Sequence, residues 1–289
     1  MRNIFPDFIY NQLATDKKIF ILLGDIGVHS FRKVFQNYKN HILNLGILEQ
    51  SMIGFAAGLA MEGRIPFVHT IAPFMVNRAY EQIKIDLCYQ NLNVNIVSVG
   101  ASIDYAALGS THHCPEDVAI LSKLPNMQIY CPGNSQELAN LLKKYKMKGP
   151  KYFRLSNYFH NSQIPSNESF TLLRKGKKGL IIVIGPALRF IENFYNFVDA
   201  NIIYINKIKP LDEIFLKKYF REKIVIVQDF YKGSISSDIL AVFKNRKIVC
   251  KEIGLPIKFF LNYGSSIEHY NMLGLNNIKI KKEIIDFLR

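Results

Sequence analysis

Short apolar runs that alternate with segments of helical length are the feature that most restricts the fold of this chain. The runs in its first half are KIFILL, HILNL, RIPFVHTI, NVNIVSVG, MQIYCP and KYFRLS. Each has the length and apolar character of a strand that is buried on both faces. Strands that alternate with helices indicate a parallel sheet with helices on both sides, so the pattern predicts a doubly wound α/β fold.

A polar stretch, NYFHNSQIPSNESF at residues 157–170, interrupts the alternation and is typical of a linker. Beyond it, GLIIVIG, NIIYIN and KIVIVQD indicate further buried strands, each followed by a helix-like segment. The sequence therefore predicts two α/β domains, one over residues 1–160 and one over residues 171–289. In the first, Asn134 and Glu137 have the spacing of a capping box at the start of a helix.

The formal net charge of +14 raises the question of a nucleic-acid partner. The basic residues are spread along the chain without a stripe of interleaved aromatic residues, so we expect no nucleic-acid binding. A basic surface also suits phosphorylated substrates or an acidic partner subunit. No apolar run approaches the length of a membrane span and the start lacks a secretory signal, so we expect a cytoplasmic protein without a membrane partner.

The cysteines, Cys88, Cys114, Cys131 and Cys250, are scattered without CxxC spacing. In a cytosolic chain of this size we expect free thiols, several of them in the core. Cys114 follows two histidines in THHCPE, but adjacent residues rarely converge on one ion. The sequence therefore predicts no metal ligand there.

Residues that follow the predicted strands are the candidates for chemistry, because open parallel sheets bind ligands at the carboxyl ends of their strands. The loops at these ends contain Asp25, His29, Glu49, His69, Phe74, Asp104, His112 and His113. Such residues indicate an active site, but helix caps and satisfied core residues account for them equally well. A phosphate-binding loop, a GxSxG nucleophile elbow and an HExxH motif are all absent from the sequence.

Longer motifs carry a resemblance to a known family. The segment GILEQSMIGFAAGLAMEGRIPFVHTIAPFMVNRAYEQI resembles the pyrimidine-binding domain of the transketolase family of thiamin-diphosphate enzymes, which includes deoxyxylulose-phosphate synthase and the β subunits of 2-oxo acid dehydrogenases. The resemblance continues through GSTHHCPED, LPNMQIYCPGNSQELANLL, GPKYFRLS, INKIKPLDE, IVIVQDFYKGSISSDI and YGSSIEHYNMLGL. It implies a pyrimidine-binding domain followed by a transketolase C-terminal-like domain.

The resemblance implies cofactor contacts in the first domain. Glu49, in GILEQ, matches the glutamate that hydrogen-bonds N1′ of the cofactor's aminopyrimidine and promotes its 4′-imino form. Leu48 precedes it in the same cofactor-binding motif. Phe74 matches the aromatic residue that stacks on the pyrimidine ring. Asp25 and Ile26 match an Asp-Leu pair whose aliphatic member supports the bent cofactor.

Two histidines are candidates for substrate contacts. His112, in STHH, matches the histidine of the family's PTH motif, which contacts substrate oxygens near the reacting carbon. His29 is a further candidate in the loop after the first strand. The alternatives at single residues are a helix cap at Glu49, core packing at Phe74 and an ordinary loop residue at His112.

The resemblance also identifies what this chain lacks. A full transketolase has an additional N-terminal domain in which a GDG…N motif holds Mg²⁺ and the diphosphate. Here GDIG lies in the wrong domain, and no asparagine follows Asp25 at the required spacing. The resemblance therefore implies one chain of a split thiamin-diphosphate enzyme. A partner subunit would bring the diphosphate-binding domain and the Mg²⁺ ligands, in an α₂β₂-type assembly.

Three positions depart from the family's pattern for phosphorylated sugars. Contacts in the segment before the PTH histidine fall on Gly100 and Leu108, and the arginine that binds substrate phosphate falls on Asn157. Arg154 and Arg78 are candidates to compensate. Because a site that loses such contacts usually changes its substrate, we expect chemistry other than standard pentose-phosphate transfer.

The leading hypothesis is a transketolase-like subunit that helps to move a two-carbon ketol or acyl unit onto a sugar-like aldehyde. The motifs THH and GILEQ favour it. The first alternative is the β subunit of a 2-oxo acid dehydrogenase, and the second is a non-catalytic binding module that has kept the fold. Intact Glu49 and Phe74 argue against the second.

Overall fold

The computed structural model describes residue 1, residues 3–165 and residues 169–289. The described strands are β1 (Ile19–Leu23), β2 (Ile42–Asn44), β3 (Ile65–Ile71), β4 (Asn95–Val99), β5 (Gln128–Tyr130), β6 (Lys151–Arg154), β7 (Phe170–Arg174), β8 (Leu180–Ile184), β9 (Asn201–Ile205), β10 (Lys207–Lys209), β11 (Lys223–Tyr231) and β12 (Val249–Leu255). The described α-helices are α1 (Ile4–Leu13), α2 (Arg32–Asn37), α3 (Glu49–Met61), α4 (Tyr80–Gln82), α5 (Asp117–Ser122), α6 (Ser135–Leu142), α7 (Glu213–Lys218), α8 (Ser236–Ala241), α9 (Ser266–Met272) and α10 (Asn277–Leu288). Two π-helical segments, Phe74–Arg78 and Ile83–Tyr89, flank α4.

The first sheet has the strand order β10-β5-β6-β4-β3-β1-β2, and its strands are parallel except for β10. Along β1, Ile21 packs into one apolar cluster with α1 and α6, whereas Leu22 packs into another with α3. Neighbouring residues of a strand thus bury opposite faces, as expected for a sheet with helices on both sides. The predicted doubly wound α/β fold is confirmed.

The second sheet has the order β12-β11-β8-β9-β7, and its only antiparallel strand among the described residues is β7. Helix α10 buries Ile280, Ile284 and Leu288 against one face of this sheet. The other face shares an apolar cluster with the first sheet, which contains Met52 and Ile182 together. The predicted runs GLIIVIG, NIIYIN and KIVIVQD correspond to β8, β9 and β11.

The two sheets are joined by more than the chain between them. Strand β10 comes late in the sequence but pairs with β5 of the first sheet, with Lys207 opposite Tyr130. The predicted linker at 157–170 includes residues 166–168, which lie outside the described residues, and Phe170 already begins β7. The boundaries at 1–160 and 171–289 stay predictions.

Only half of the predicted capping box forms at the start of α6. Asn134 Oδ1 accepts the backbone N–H of Glu137 at 3.0 Å, as expected for an N-cap. The Glu137 carboxylate does not return to Asn134; it accepts from the Gly133 N–H at 3.1 Å, the Tyr204 hydroxyl at 2.6 Å and the Asn206 amide at 2.8 Å. These three donors take the place of the Asn134 N–H, and two of them, Tyr204 and Asn206, belong to the second half of the chain.

The thiols are all free, as predicted, and Cys88, Cys114 and Cys131 are buried. Burial raises the pKa of Cys88 to about 12, so its thiol is uncharged at neutral pH. No helix in the described ranges combines the length and the apolar character that a membrane crossing requires.

Candidate active site

Glu49 lies where the chain turns from β2 into α3, at the carboxyl edge of the first sheet. Gly46 has a φ of 76°, and the Leu48 N–H donates to the Gly46 carbonyl at 2.9 Å, which fixes the turn. Helix α3 starts at Glu49 itself and buries Met52 and Ile53 against the sheet. The Glu49 side chain is 1% exposed. A carboxylate is therefore held inside the edge where parallel sheets bind ligands.

The Glu49 carboxylate has one partner and one unused oxygen. Its Oε2 accepts from Arg78 Nη1 at 2.7 Å, in an ion pair whose arginine is 44% exposed. Its Oε1 is buried and has no hydrogen-bond partner among the described residues. Because a buried polar atom without a partner costs free energy, this oxygen is placed to accept a further hydrogen bond from a bound molecule.

Phe74, His112 and Arg78 form a chain of contacts that leads to Glu49, and we call this place the opening because Arg78 and the neighbouring Leu48 are exposed there. The rings of Phe74 and His112 lie edge to face with their centroids 5.3 Å apart. The Arg78 guanidinium lies 4.6 Å from the centroid of Phe74, and His112 Nδ1 lies 3.0 Å from Thr111 Oγ1. The structure thus brings together Glu49, Phe74 and His112, which the sequence places on three separate loops.

The loop after β1 is near the sheet edge but does not join this group. Asp25 has a φ of 59°, and it exchanges two hydrogen bonds with Asn44 at the end of β2, at 3.0 and 3.2 Å. Ile26 packs partly into the core. His29 is exposed, and within the described part of the chain no side-chain hydrogen bond or ring contact links it to Phe74 or Glu49. The roles predicted for these residues stay predictions.

Three of the other strand-end candidates are structural. His69 is 2% exposed, packs on Phe5 and Phe31, and has its Nδ1 2.6 Å from the Val97 carbonyl. His113 is buried against Phe260 and His269, and burial together with His269 lowers its pKa. Asp104 accepts from Ser156 Oγ at 3.1 Å and the Asn157 N–H at 2.7 Å. For these three, the explanation by caps and core residues holds.

Arg154 is not available to a substrate, which corrects its suggested role as a phosphate contact. The side chain is fully buried, with Nε 2.9 Å from Asp117 Oδ2 and Nη1 3.1 Å from Asp229 Oδ1. Both carboxylates neutralise the guanidinium, so no charge is left to attract a ligand. Arg78, the other candidate, is half-exposed at the opening but is paired with Glu49.

The contact between Arg78 and Glu49 was missed in the sequence, although one signal was available. Phe74 and Arg78 are four residues apart on a segment of helical length, so they share one face. A helical segment that places Phe74 at the site therefore also places the Arg78 guanidinium there. Gly100, by contrast, has a φ of 77°, and a Cβ there would lie 2.4 Å from the Tyr105 ring, so a residue with a side chain is strained at this position.

Residues 1–158 match the family model described as "Transketolase, pyrimidine binding domain". The match covers more than half of the 289 residues, so the chain belongs to the transketolase family. This confirms the family resemblance that the GILEQ and STHH motifs indicated.

Two relatives differ in how much of their own length this chain spans. One subunit of the apulose-4-phosphate transketolase of Phocaeicola vulgatus is 26% identical over 304 residues, which cover 100% of this chain and 97% of the relative. The 1-deoxy-D-xylulose-5-phosphate synthase of Blochmanniella pennsylvanica is 30% identical over 305 residues, which cover 99% of this chain and 48% of the relative. The chain thus spans about half the length of the synthase.

A solved structure is similar over the whole chain. It is described as "Split gene transketolase, inactive beta4 tetramer", and it superimposes with a TM-score of 0.84 at 25% sequence identity. The similarity covers 99% of this chain and 97% of that chain. The fold of both halves is therefore that of a transketolase subunit.

Proposed function

We propose that this chain is the pyrimidine-binding subunit of a heteromeric, thiamin-diphosphate-dependent transketolase-like enzyme. The enzyme would transfer a two-carbon ketol or acyl unit to a sugar-like aldehyde. The observation that carries the proposal is the unpartnered, buried Oε1 of Glu49, 1% exposed, on the edge that also presents Phe74 and His112. When bound, thiamin diphosphate supplies the electron sink for making and breaking the carbon–carbon bond.

Each of these side chains has a task that suits its place. Glu49 would bond through Oε1 to the pyrimidine N1′ and hold or move a proton at that atom. Phe74, half-buried beside the opening, would stack on the pyrimidine ring and fix its orientation. His112 would contact substrate oxygens. Leu48, which is 54% exposed next to Glu49, would line the cofactor together with Ile26.

The other half of the site would come from a second subunit. Ile47 and Leu48 are 64% and 54% exposed beside Glu49, so the opening is uncovered on this side. Among the described residues, no group of three or more His, Cys, Asp or Glu side chains is placed to hold a metal ion. The proposed partner is a diphosphate-binding N-terminal transketolase subunit that brings the Mg²⁺ ligands, with self-association to an α₂β₂-type assembly in the cytoplasm.

The substrate would be an unusual sugar. Gly100 rejects a side chain because of the Tyr105 ring, and Arg154 is buried in ion pairs, so neither offers the contacts for a sugar phosphate. Asn157 is exposed and engages Asp104 through its backbone only. We therefore expect a donor or acceptor whose recognition does not depend on contacts from Gly100, Arg154 or Asn157.

Reconstitution with a partner tests the proposal. The chain is co-expressed with a protein of the same source that carries a GDG motif and a downstream asparagine, and turnover is measured with ketose and 2-oxo acid donors. We expect turnover only when both chains, thiamin diphosphate and Mg²⁺ are present, and stronger turnover with ketose donors. Activity of either chain alone would contradict the split site, and turnover limited to 2-oxo acids would support the dehydrogenase alternative.

Truncation of Phe74 is expected to weaken cofactor binding. Loss of the stacked ring in Phe74→Ala removes buried area and ring geometry, so the Kd for thiamin diphosphate should rise about tenfold to hundredfold. Titration calorimetry of the reconstituted complex measures this. Phe197→Ala is the matched control, since Phe197 is 81% exposed and lies in the second half of the chain. Equal affinities in the two variants would remove Phe74 from the cofactor site.

A further inference from the structure

The loop that carries His112 is attached to the second half of the chain rather than to its own sheet alone. It follows β4 and contains two short 3₁₀ turns, Ala106–Leu108 and Ser110–His112. His112 thus lies at the end of a turn that begins with Ser110. The contacts of this turn decide where the imidazole lies relative to Phe74.

Hydrogen bonds from three different segments of the second half hold the loop. Ser110 Oγ donates to the Phe260 carbonyl at 2.6 Å, two residues before His112. Ser266 Oγ, at the start of α9, donates to the Ile103 carbonyl at 2.6 Å. The Tyr231 N–H donates to the Pro115 carbonyl at 3.0 Å. The loop is therefore fixed at its beginning, its middle and its end.

Close packing reinforces the middle contact. Gly109 has a φ of 76°, and a Cβ built on it would lie 3.0 Å from the ring of Tyr263. Tyr263 therefore packs directly on the residue before Ser110. The Tyr263 ring packs on Gly109, and the hydroxyl of Ser110 is bonded to the Phe260 carbonyl. Together these contacts restrict the conformation of the Ser110–His112 turn.

We propose that Ser110 and Ser266 are positioning residues that let the second half of the chain set the place of His112 for substrate binding. This inference rests on the proposed function, because it takes His112 as the substrate contact. Ser110 fixes the turn that ends at His112, and Ser266 fixes the loop at Ile103. Ser110 Oγ and Ser266 Oγ donate to the carbonyls of Phe260 and Ile103, not to Glu49 or Phe74, so we expect little change in cofactor binding when either hydroxyl is removed.

The test compares Ser110→Ala and Ser266→Ala with Ser122→Ala, and adds Ser110→Thr to restore the hydroxyl. Ser122 is the matched control, since its buried hydroxyl also donates to a carbonyl, that of Ala119 at 3.0 Å in α5. The first measurement is the NMR signal of the His112 ring in the isolated full chain, assigned by its loss in His112→Gln. The second is the split between KM and kcat in the reconstituted enzyme.

We expect the His112 signal to shift or broaden in Ser110→Ala and Ser266→Ala, and to keep its wild-type position in Ser122→Ala and Ser110→Thr. The KM for the sugar-like substrate should rise about fivefold in each alanine variant, the size of one lost hydrogen bond. The kcat, the melting temperature and the Kd for thiamin diphosphate should stay close to wild type. This pattern assigns the serines to the position of His112 rather than to folding or to the cofactor.

An unchanged His112 signal in both alanine variants would overturn the inference, as would a shifted signal with an unchanged KM. Equal losses of kcat and cofactor affinity would also overturn it, because they indicate a general structural role. Failure of the proposed function has a different signature, since the wild-type reconstituted enzyme would then not turn over sugars at all. In that event the NMR comparison alone decides whether the serines position His112.

Discussion

Glu49→Gln is expected to reduce thiamin-diphosphate-dependent turnover about 10³-fold in the reconstituted enzyme, within the range for loss of a general acid–base group. The amide keeps the shape of the side chain and can still accept the Arg78 hydrogen bond. It cannot hold or move a proton at the pyrimidine nitrogen. The measurement is single-turnover and steady-state kinetics at saturating cofactor, which separates this loss from weaker binding.

The folded state of this variant should survive. Glu49→Gln removes the buried charge of the ion pair and leaves the half-exposed Arg78 guanidinium in contact with solvent, so no uncompensated buried charge remains. Glu81→Gln is the matched control, because Glu81 is exposed on the neighbouring α4. We expect wild-type turnover from it. Turnover of Glu49→Gln within tenfold of the control would refute the assignment of Glu49.

The fold was largely predictable because most of its central strands are apolar runs separated by segments of helical length. The runs KIFILL, RIPFVHTI and GLIIVIG each give a central strand, buried on both faces, in which the residue types leave little choice. The sequence did not predict β10, a three-residue strand of which two residues are lysines. It pairs with β5, which lies about 80 residues earlier in the sequence, and local hydrophobic periodicity does not predict a pairing between such distant segments.

The sequence predicted which residues belong to the site but not which contacts their charged groups make. The motifs identified Glu49, Phe74 and His112, and the structure brings them to one opening. The partners of charged groups were not visible, as Arg78 and Arg154 illustrate. Arg78 ends the helical segment after β3 and pairs with Glu49 at the opening, whereas Arg154 ends β6 and is enclosed by two carboxylates. The burial of each arginine and its distance from a carboxylate decide between these outcomes, and neither quantity can be read from the sequence.

The same enclosure makes Arg154→Met the substitution with the largest expected effect on stability. Arg154 bonds to both oxygens of Asp117, at 3.1 and 2.9 Å, and to Asp229 at 3.1 Å. Methionine fills a similar volume but leaves two buried carboxylates without their shared cation. Breaking a buried ion pair in this way costs about 3–5 kcal/mol in the free energy of unfolding. The melting temperature should fall by about 10 °C.

This ion cluster also connects the two sheets, which adds a second expected result. Asp117 begins α5 of the first half and Asp229 lies in β11 of the second, so Arg154 is a direct charge link between them. Without it, we expect denaturant unfolding to separate into two transitions where the wild type shows one. Arg64→Met is the control, since Arg64 is exposed and its side chain donates to the Lys17 carbonyl at 2.9 Å rather than to a buried carboxylate. If both variants unfold alike, the halves are held together by apolar contacts and strand β10 rather than by this cluster.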